Sequence, residues 1–431
     1  MLERNTYQPP TGGRDLLPLD VVQKRWIEDR LEQVFHRWGY HRIITPTVET
    51  MDTLMAGGAI ERVEVIELQL GQAGAQRLGL RPELTASIAR AAVTRLRTVT
   101  YPQRLYYNAN VFRRSAKGSQ GDQQEYHQAG IELLGASGLM ADAEAVLLLA
   151  DCLGALNLTD VKLVLGEAAL TYSLLLPFPA TMRETVRRDI AALDRVALET
   201  IALPDNLRSL ALQLMDLRGT PEEVFAKLAE FDLDAAQWAI VQNLKALIEL
   251  LETERGQGIA MPSMVLDLSL IRPFDYYTGV VFEVVGCAQR QVLGQGGRYD
   301  DLLAVYDTRH DLRAEGHEHK GFPGIGFVLN TEQLHQALLP SGQLPKETPP
   351  SDWLIVPKDE AAAAAALAYA QKARQPGPSA QNTLSQNTVR VEMSLDLTQS
   401  MDEVRAIARK RNIARIAWIS AEGLPDIEIV H

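Results

Sequence analysis

Near the start of the chain Val22, Trp26, Leu31, Val34, Phe35 and Trp38 recur at helical spacing, and Gly39 ends the pattern. The "YHRIITPTVE" that follows reads as an extended segment leaving that helix. A second helix is predicted to begin after Pro82 in "RPELTASIARAAVTRLR". Strand character then appears in "QRLYYNANVFR" and "EYHQAGIELLG", and the long polar loop between them fits an antiparallel pair. From about residue 168 to 255 apolar side chains return every three or four residues, as in "VRRDIAALDRVALETIAL" and "AQWAIVQNLKALIELLETE". That spacing predicts a helical insertion. Beyond it "MVLDLSLIRPFDYYTGVVFEVVG" and "QVLGQGGRYDDLL" are β-rich, and "GFPGIGFVLNTEQLHQALL" reads as a strand running into a helix. The first sheet is expected to resume there.

"PSGQLPKETPPSD" carries four prolines and no apolar period, which marks a linker. After it "WLIVP", "EAAAAAALAYAQKA", "TVRVEMS", "SMDEVRAIARKRN" and "IARIAWIS" alternate strand and helix, as a small α/β domain does. The tract "RQPGPSAQNTLSQNT" inside it lacks the apolar surface to order itself, so a mobile loop is expected. The six-alanine run reads as a helix interior. The predicted organisation is a core over residues 1–340 with its helical insertion, a linker at 341–352, and a small domain over 353–431.

Composition narrows the function classes. With 46% hydrophobic and 23% charged residues, the chain falls in the ordinary range for a globular protein. No apolar run approaches the roughly 20 residues that span a bilayer, and the N-terminus lacks a signal-peptide core. A cytoplasmic location, with no membrane contact, is therefore expected. Cys152 and Cys287 offer neither metal-ligand spacing nor a disulfide framework, and both are expected to be buried thiols. The net charge of −12 opposes a polyanion partner unless positive charge is gathered on one face.

The candidate chemistry is a set of polar residues suited to a small zwitterion. Glu83 and Thr85 near a helix start, with Gln128 and Glu132 four apart on a strand pattern, supply oxygen acceptors for an ammonium or an imidazole N–H. Arg272, just before "DYYTG", supplies a fork for a carboxylate, and Tyr276 and Tyr277 could wall the ligand's side chain. The alternative is that these are scattered strand and surface groups. "GQGGRY" lacks the spacing of a P-loop or dinucleotide loop, so a tight hairpin or a close backbone contact is the better reading. His310, His317 and His319 read as a solvated loop, and no metal or cofactor is assigned. Arg405, Arg409, Lys410 and Arg411 near a helix end read as a face matched to the helix dipole rather than an RNA contact.

The order "PPTGGRDLLP", "GYHRIITPTVE", "LRPELT", "RLYYNANVFRR", "EYHQAGIELLG", "IRPFDYYTG", "GGRYDDLL" and "GIGFVLNTEQL" closely resembles histidyl-tRNA synthetase over roughly residues 7 to 340. The resemblance implies an α+β fold, a class II synthetase-like antiparallel sheet of six strands flanked by helices, dimerising around Pro46. It also implies that Glu83, Thr85, Gln128, Glu132, Arg272, Tyr276 and Tyr277 bind histidine. Arg113 remains from the nucleotide-binding set, whereas Gln333 stands for an ATP-contacting arginine and Ser115 for a glutamate that orients the nucleotide. Asp122 and Gln124 replace arginines in the loop that meets triphosphate and the tRNA acceptor end. Losing one positioned cation or donor from a phosphate-transfer site costs about 10² to 10⁵ in rate, so little adenylation is expected.

From Ser351 onward, nine basic residues face ten acidic ones, so the small domain resembles a reduced anticodon-binding domain without a strong pull on tRNA. A synthetase body with a histidine pocket and stripped ATP and tRNA sites is similar to the regulatory subunits of ATP phosphoribosyltransferase. That resemblance implies no catalysis of its own, a short catalytic subunit as partner in a hetero-octamer, and feedback inhibition by histidine. Two rivals stay open at this point: an active histidine–tRNA ligase, and a free-standing histidine-binding sensor.

Overall fold

The computed structural model describes residues 9–58, 60–69, 76–114, 123–270, 276–288, 290–307, 322–375 and 389–430. The chain divides into two compact units, Met1–Pro345 and Lys346–His431. Ser115, Asp122, Arg272, the three histidines at 310, 317 and 319, and most of the Pro/Ser/Gln tract lie outside the described residues.

The helix Pro18–Arg37 starts where Pro18 has no N–H to leave unpaired and where Leu17 N–H donates to Asp20 Oδ2 at 2.9 Å. It stops where Gly39 adopts φ +76°, a left-handed conformation that glycine enters without a Cβ penalty. Its stripe of Ile27, Leu31, Val34 and Phe35 is fully buried, which stabilises the fold by about 1.5–3 kcal/mol per side chain. Ile131, Leu133 and Ala129 of the sheet belong to the same core cluster.

Six antiparallel strands form the centre of the sheet. In spatial order they are Gln103–Phe112, Glu125–Leu134, Gly324–Asn330, Gln291–Arg298, Val280–Gly286 and Val161–Glu167. The implied antiparallel sheet is thus present, and the margins make it mixed. His41–Arg42 pairs parallel with Gln103–Phe112 on one side. On the other side Ser263–Asp267 pairs parallel with Val161–Glu167, and Arg218–Gly219 closes the edge. "GQGG" sits mid-strand as a close backbone contact, because a Cβ on Gly294 would meet Val328 O at 2.8 Å.

Alternation along Glu125–Leu134 sorts its side chains between two cores. Ala129, Ile131 and Leu133 face the cluster built on Pro18–Arg37 and Leu139–Ala155. Gln128, Gly130 and Glu132 fall on the opposite face, toward the helix Thr85–Thr94. From Ala168 to Gly256 six helices follow one another, interrupted by Arg218–Gly219. No helix among the described residues is long and apolar enough to cross a membrane. Cys152 is buried, but Cys287 is exposed, a correction to the expectation of two buried thiols. Cys287 follows the end of Val280–Gly286 in a turn, where its N–H reaches Asp160 O at 3.0 Å.

At the root of the helical stretch, Glu167 accepts from Ala169 N–H at 3.3 Å and starts the helix Ala168–Leu175. Burial pushes its carboxyl up to about 8, the nearby Asp142 and Asp300 adding to the shift against the pull of the Ala169 N–H and Arg298. The folded chain therefore binds this proton more tightly than the unfolded chain, whose glutamate titrates near 4.3. Stability from this group is complete below about 4.3 and is lost as pH rises toward about 8. Urea melts at pH 6 and 8.5 should show Glu167→Gln losing less stability than the wild type across that interval. Parallel loss in both would show that Glu167 does not set the trend.

In the second unit the strand order is Val391–Met393, Trp353–Pro357, Arg415–Ile419, Pro425–Ile429, the first three parallel and the last antiparallel. The alanine run enters the helix Ala363–Arg374, and Ala366 and Ala370 are fully buried against Ile355, Ala417 and Ile419. The basic run ends the helix Met401–Lys410, whose Arg405 is bound to Glu428 at 2.6 Å and Asp402 at 2.9 Å.

Candidate functional site

The site lies where Thr85–Thr94 meets the polar face of the sheet. Glu83 precedes this helix, and its carboxylate accepts from Thr85 N–H at 2.5 Å and Ala86 N–H at 2.9 Å, satisfying donors that a helix start leaves open. Thr85 then turns its hydroxyl into the sheet and donates to Glu132 Oε1 at 2.8 Å. The other Glu132 oxygen accepts from the Tyr299 hydroxyl. Two acids are thus joined through one threonine, with Glu132 only 2% exposed.

Glycines make room for this arrangement. A Cβ on Gly130 would lie 2.6 Å from the Tyr107 hydroxyl, and one on Gly297 would lie 2.8 Å from the Tyr277 ring. A Cβ on Gly326 would run into Glu132 Oε2 and the backbone oxygen of Ile131. Small residues at these points let tyrosine and glutamate side chains lie flat on the strands. Tyr276 packs on Tyr277 with ring centroids 4.6 Å apart and meets Tyr299 edge-on at 5.8 Å.

The electrostatics follow from burial. Burial pushes the Glu132 carboxyl up to about 8, with the neighbouring Glu83 adding to the rise and the Tyr299 and Thr85 hydroxyls opposing it. Glu83 is also raised by burial, against the pull of Ala86, Thr85 and Arg113. Burial holds the phenols of Tyr107, Tyr276 and Tyr299 well above their ordinary range, so they remain hydrogen-bond donors. Arg113, anchored by its Nε on Pro82 O at 2.9 Å, brings a positive charge to the cleft wall.

Seven of the eight residues singled out by sequence, Glu83, Thr85, Arg113, Gln128, Glu132, Tyr276 and Tyr277, line this one cleft. Arg272 lies outside the described residues. Sequence reading missed Tyr107, Tyr299 and Gln295, which also line it. Tyr299 follows the glycines of "GGRY", but nothing within that window directs its hydroxyl to Glu132.

The helix start at Gln333, where the resemblance implies an ATP-contacting arginine, is neutral at that position. Gln333 carries no charge, and its backbone N–H donates to Asn330 Oδ1 at 3.1 Å to start the helix Thr331–Leu338. The same helix start holds the carboxylate of Glu332, which accepts from His127 N–H at 3.0 Å and meets the His127 ring at 2.7 Å. Gln124 serves the backbone, its carbonyl accepting from Arg113 N–H and its own N–H reaching Gly12 O, each at 2.9 Å.

Residues 12–334 match the family described as Histidyl-tRNA synthetase. A relative from Nostoc sp. (strain PCC 7120), named ATP phosphoribosyltransferase regulatory subunit, is 54% identical over 98% of this chain and 99% of its own length. The protein of the same name from Cyanothece sp. (strain PCC 7425) is 53% identical over 98% and 99%. A Bacillus halodurans structure described as an ATP phosphoribosyltransferase regulatory subunit/histidyl-tRNA synthetase superposes with a TM-score of 0.74 at 25% identity, covering 96% of this chain and 98% of that one. A histidyl-tRNA synthetase from Nostoc sp. PCC 7120 shares the fold with a TM-score of 0.72 at 19% identity, over 98% and 97% of the two chains.

Proposed function

The chain belongs to the ATP phosphoribosyltransferase regulatory subunit family, a branch of the histidyl-tRNA synthetase fold, and from that premise we propose that histidine binds the cleft at Glu83 and Glu132 to regulate a partner's activity. The chain itself is a non-catalytic regulatory subunit. Its partner is the catalytic subunit of ATP phosphoribosyltransferase, which we take to be the short form, in a cytoplasmic hetero-octamer. The reading of the pocket rests on one observation: two buried acids joined through Thr85, in a cleft that Gln128, Tyr276 and Tyr277 also line. An amino acid's ammonium finds acceptors here.

Histidine regulates only if it binds one state of the assembly more tightly than another, and couplings of about 1–3 kcal/mol are typical. Tyr299 and Thr85 suit that task, because both donate to the carboxyl that meets the ligand. Arg272 is proposed for the ligand carboxylate, with Tyr276 and Tyr277 on its ring. A homodimer is proposed around Pro46. There Arg81 holds Thr45 O at 2.7 Å and Pro46 O at 3.3 Å, and Ile44 stands 82% exposed beside them.

The test is reconstitution. Phosphoribosyl transfer to ATP by the short catalytic subunit is measured alone, with this chain, and with added histidine. Activity is expected only in the mixture, and it should fall as histidine rises. Glu132→Ala should raise the histidine concentration for half-inhibition by about 10–100-fold, the value of a lost hydrogen bond to a charged group. An unmoved half-inhibition point would remove this cleft from regulation, and no activation by the chain would sink the partnership.

A further inference from the structure

Glu83 and Glu132 are both buried, but their partners differ in kind. Glu83 accepts from two backbone N–H groups, Thr85 and Ala86, which can only donate and so, with the Thr85 hydroxyl and Arg113, oppose the rise that burial imposes on its carboxyl. Glu132 accepts from two hydroxyls, Thr85 Oγ1 and Tyr299 Oη, and a hydroxyl accepts as well as it donates. Glu132 can therefore carry a proton without losing a partner. Among the described residues, the titratable groups lining the cleft with it are Glu83, Tyr107, Arg113, Tyr276, Tyr277 and Tyr299. Arg113 is the cation among them, and its Nε is bound to Pro82 O. Burial and the second acid push Glu132 up to about 8, in accord with a carboxyl that is largely protonated near neutral pH.

We propose that Glu132 stores a proton until histidine binds and then passes it to the imidazole ring, so that the pocket selects its ligand by the ability of the side chain to accept a proton. This rests on the reading of the cleft as a histidine site. The O–H bond of the Glu132 carboxyl breaks, its electron pair stays on the carboxylate, and the lone pair of the ring nitrogen forms the new N–H bond. A neutral acid and a neutral ring become a carboxylate–imidazolium pair, and no proton is exchanged with solvent. The α-ammonium, permanently charged at neutral pH, goes to Glu83, whose donors favour ionisation.

Two consequences follow for the ligand. Glutamine, asparagine and phenylalanine accept no proton, so they gain no ion pair and should bind at least about 100-fold more weakly than histidine. Histidine affinity should be greatest between the ordinary pKa of its ring, about 6.5, and that of Glu132. It should fall by up to about tenfold per pH unit on either side, because one proton must then be lost or gained on binding.

The deciding experiment is nitrogen NMR of ring-labelled histidine bound to the full chain at about pH 7.5, above the ring's ordinary pKa of about 6.5. Both ring nitrogens of bound histidine should show imidazolium shifts while free histidine shows a neutral ring. In Glu132→Gln the bound ring should be neutral. A neutral bound ring in the wild type overturns the proposal, and so does an imidazolium in both proteins. Absence of any bound signal at saturating histidine overturns the reading of the cleft itself, a separate result from a neutral bound ring.

Discussion

Replacing Arg298 by methionine is expected to destabilise the fold by about 3–5 kcal/mol, the range for removing one partner from a buried ion pair. Arg298 is 6% exposed and lies at a junction of three segments. Its Nε and Nη2 donate to Asp142 Oδ1 at 2.8 and 2.6 Å, its Nη1 to Asp300 Oδ1 at 3.0 Å and to Ala136 O at 3.3 Å. Asp142 lies in the first turn of Leu139–Ala155, and its carboxyl is already raised by burial, with Arg298 pulling it down. Without the guanidinium the acid must either stay ionised in a poor solvent or take up a proton. The loss should therefore be larger at pH 8 than at pH 5. Urea denaturation at the two pH values measures it, and Arg298→Met combined with Asp142→Asn should recover part of the loss. Equal loss at both pH values, with no recovery, would mean that packing and not charge is at stake.

Gly326→Ala is expected to be nearly as severe, at roughly 3 kcal/mol or somewhat more, because the added methyl group meets backbone as well as side chain. Gly326 pairs with Glu132 across the sheet, and the new Cβ would overlap Glu132 Oε2 and Ile131 O. The carboxyl can swing away, but the Ile131 oxygen moves only if two paired strands separate. The variant should thus lose stability and histidine inhibition together. By contrast, Gly138→Ala, where nothing lies within 4 Å of the new Cβ but φ is +81°, should cost stability and leave inhibition intact. Denaturation midpoints and histidine inhibition curves of both reconstituted complexes separate the two effects. Unchanged inhibition in Gly326→Ala would show that Glu132 does not need this close approach.

Much of the site was legible because each part of it obeys a short-range rule. Gln128 and Glu132 are four apart on a strand, so period-two alternation puts them on one face, with Gly130 between them. Glu83 and Thr85 sit where a helix start needs acceptors. Tyr299 was not legible as a site residue, since its hydroxyl meets a carboxyl 167 positions away. Nor was Arg298, whose partner Asp142 lies 156 positions away. The exposure of Cys287 depended on where the turn after Val280–Gly286 points, which composition does not report.

By itself the sequence determined the periodic elements, the break between the core and the small domain, the loss of charge at Gln333, and the family resemblance. Each of these is carried by spacing or residue type within a short window of chain. Only the tertiary structure decided that two acids share Thr85, that a glycine lets one lie flat on the neighbouring strand, and that parallel strands widen the antiparallel sheet. The reason is physical: burial, with Glu83 beside it, pushes the Glu132 carboxyl up, and both arise when segments far apart in the chain exclude water from the same place.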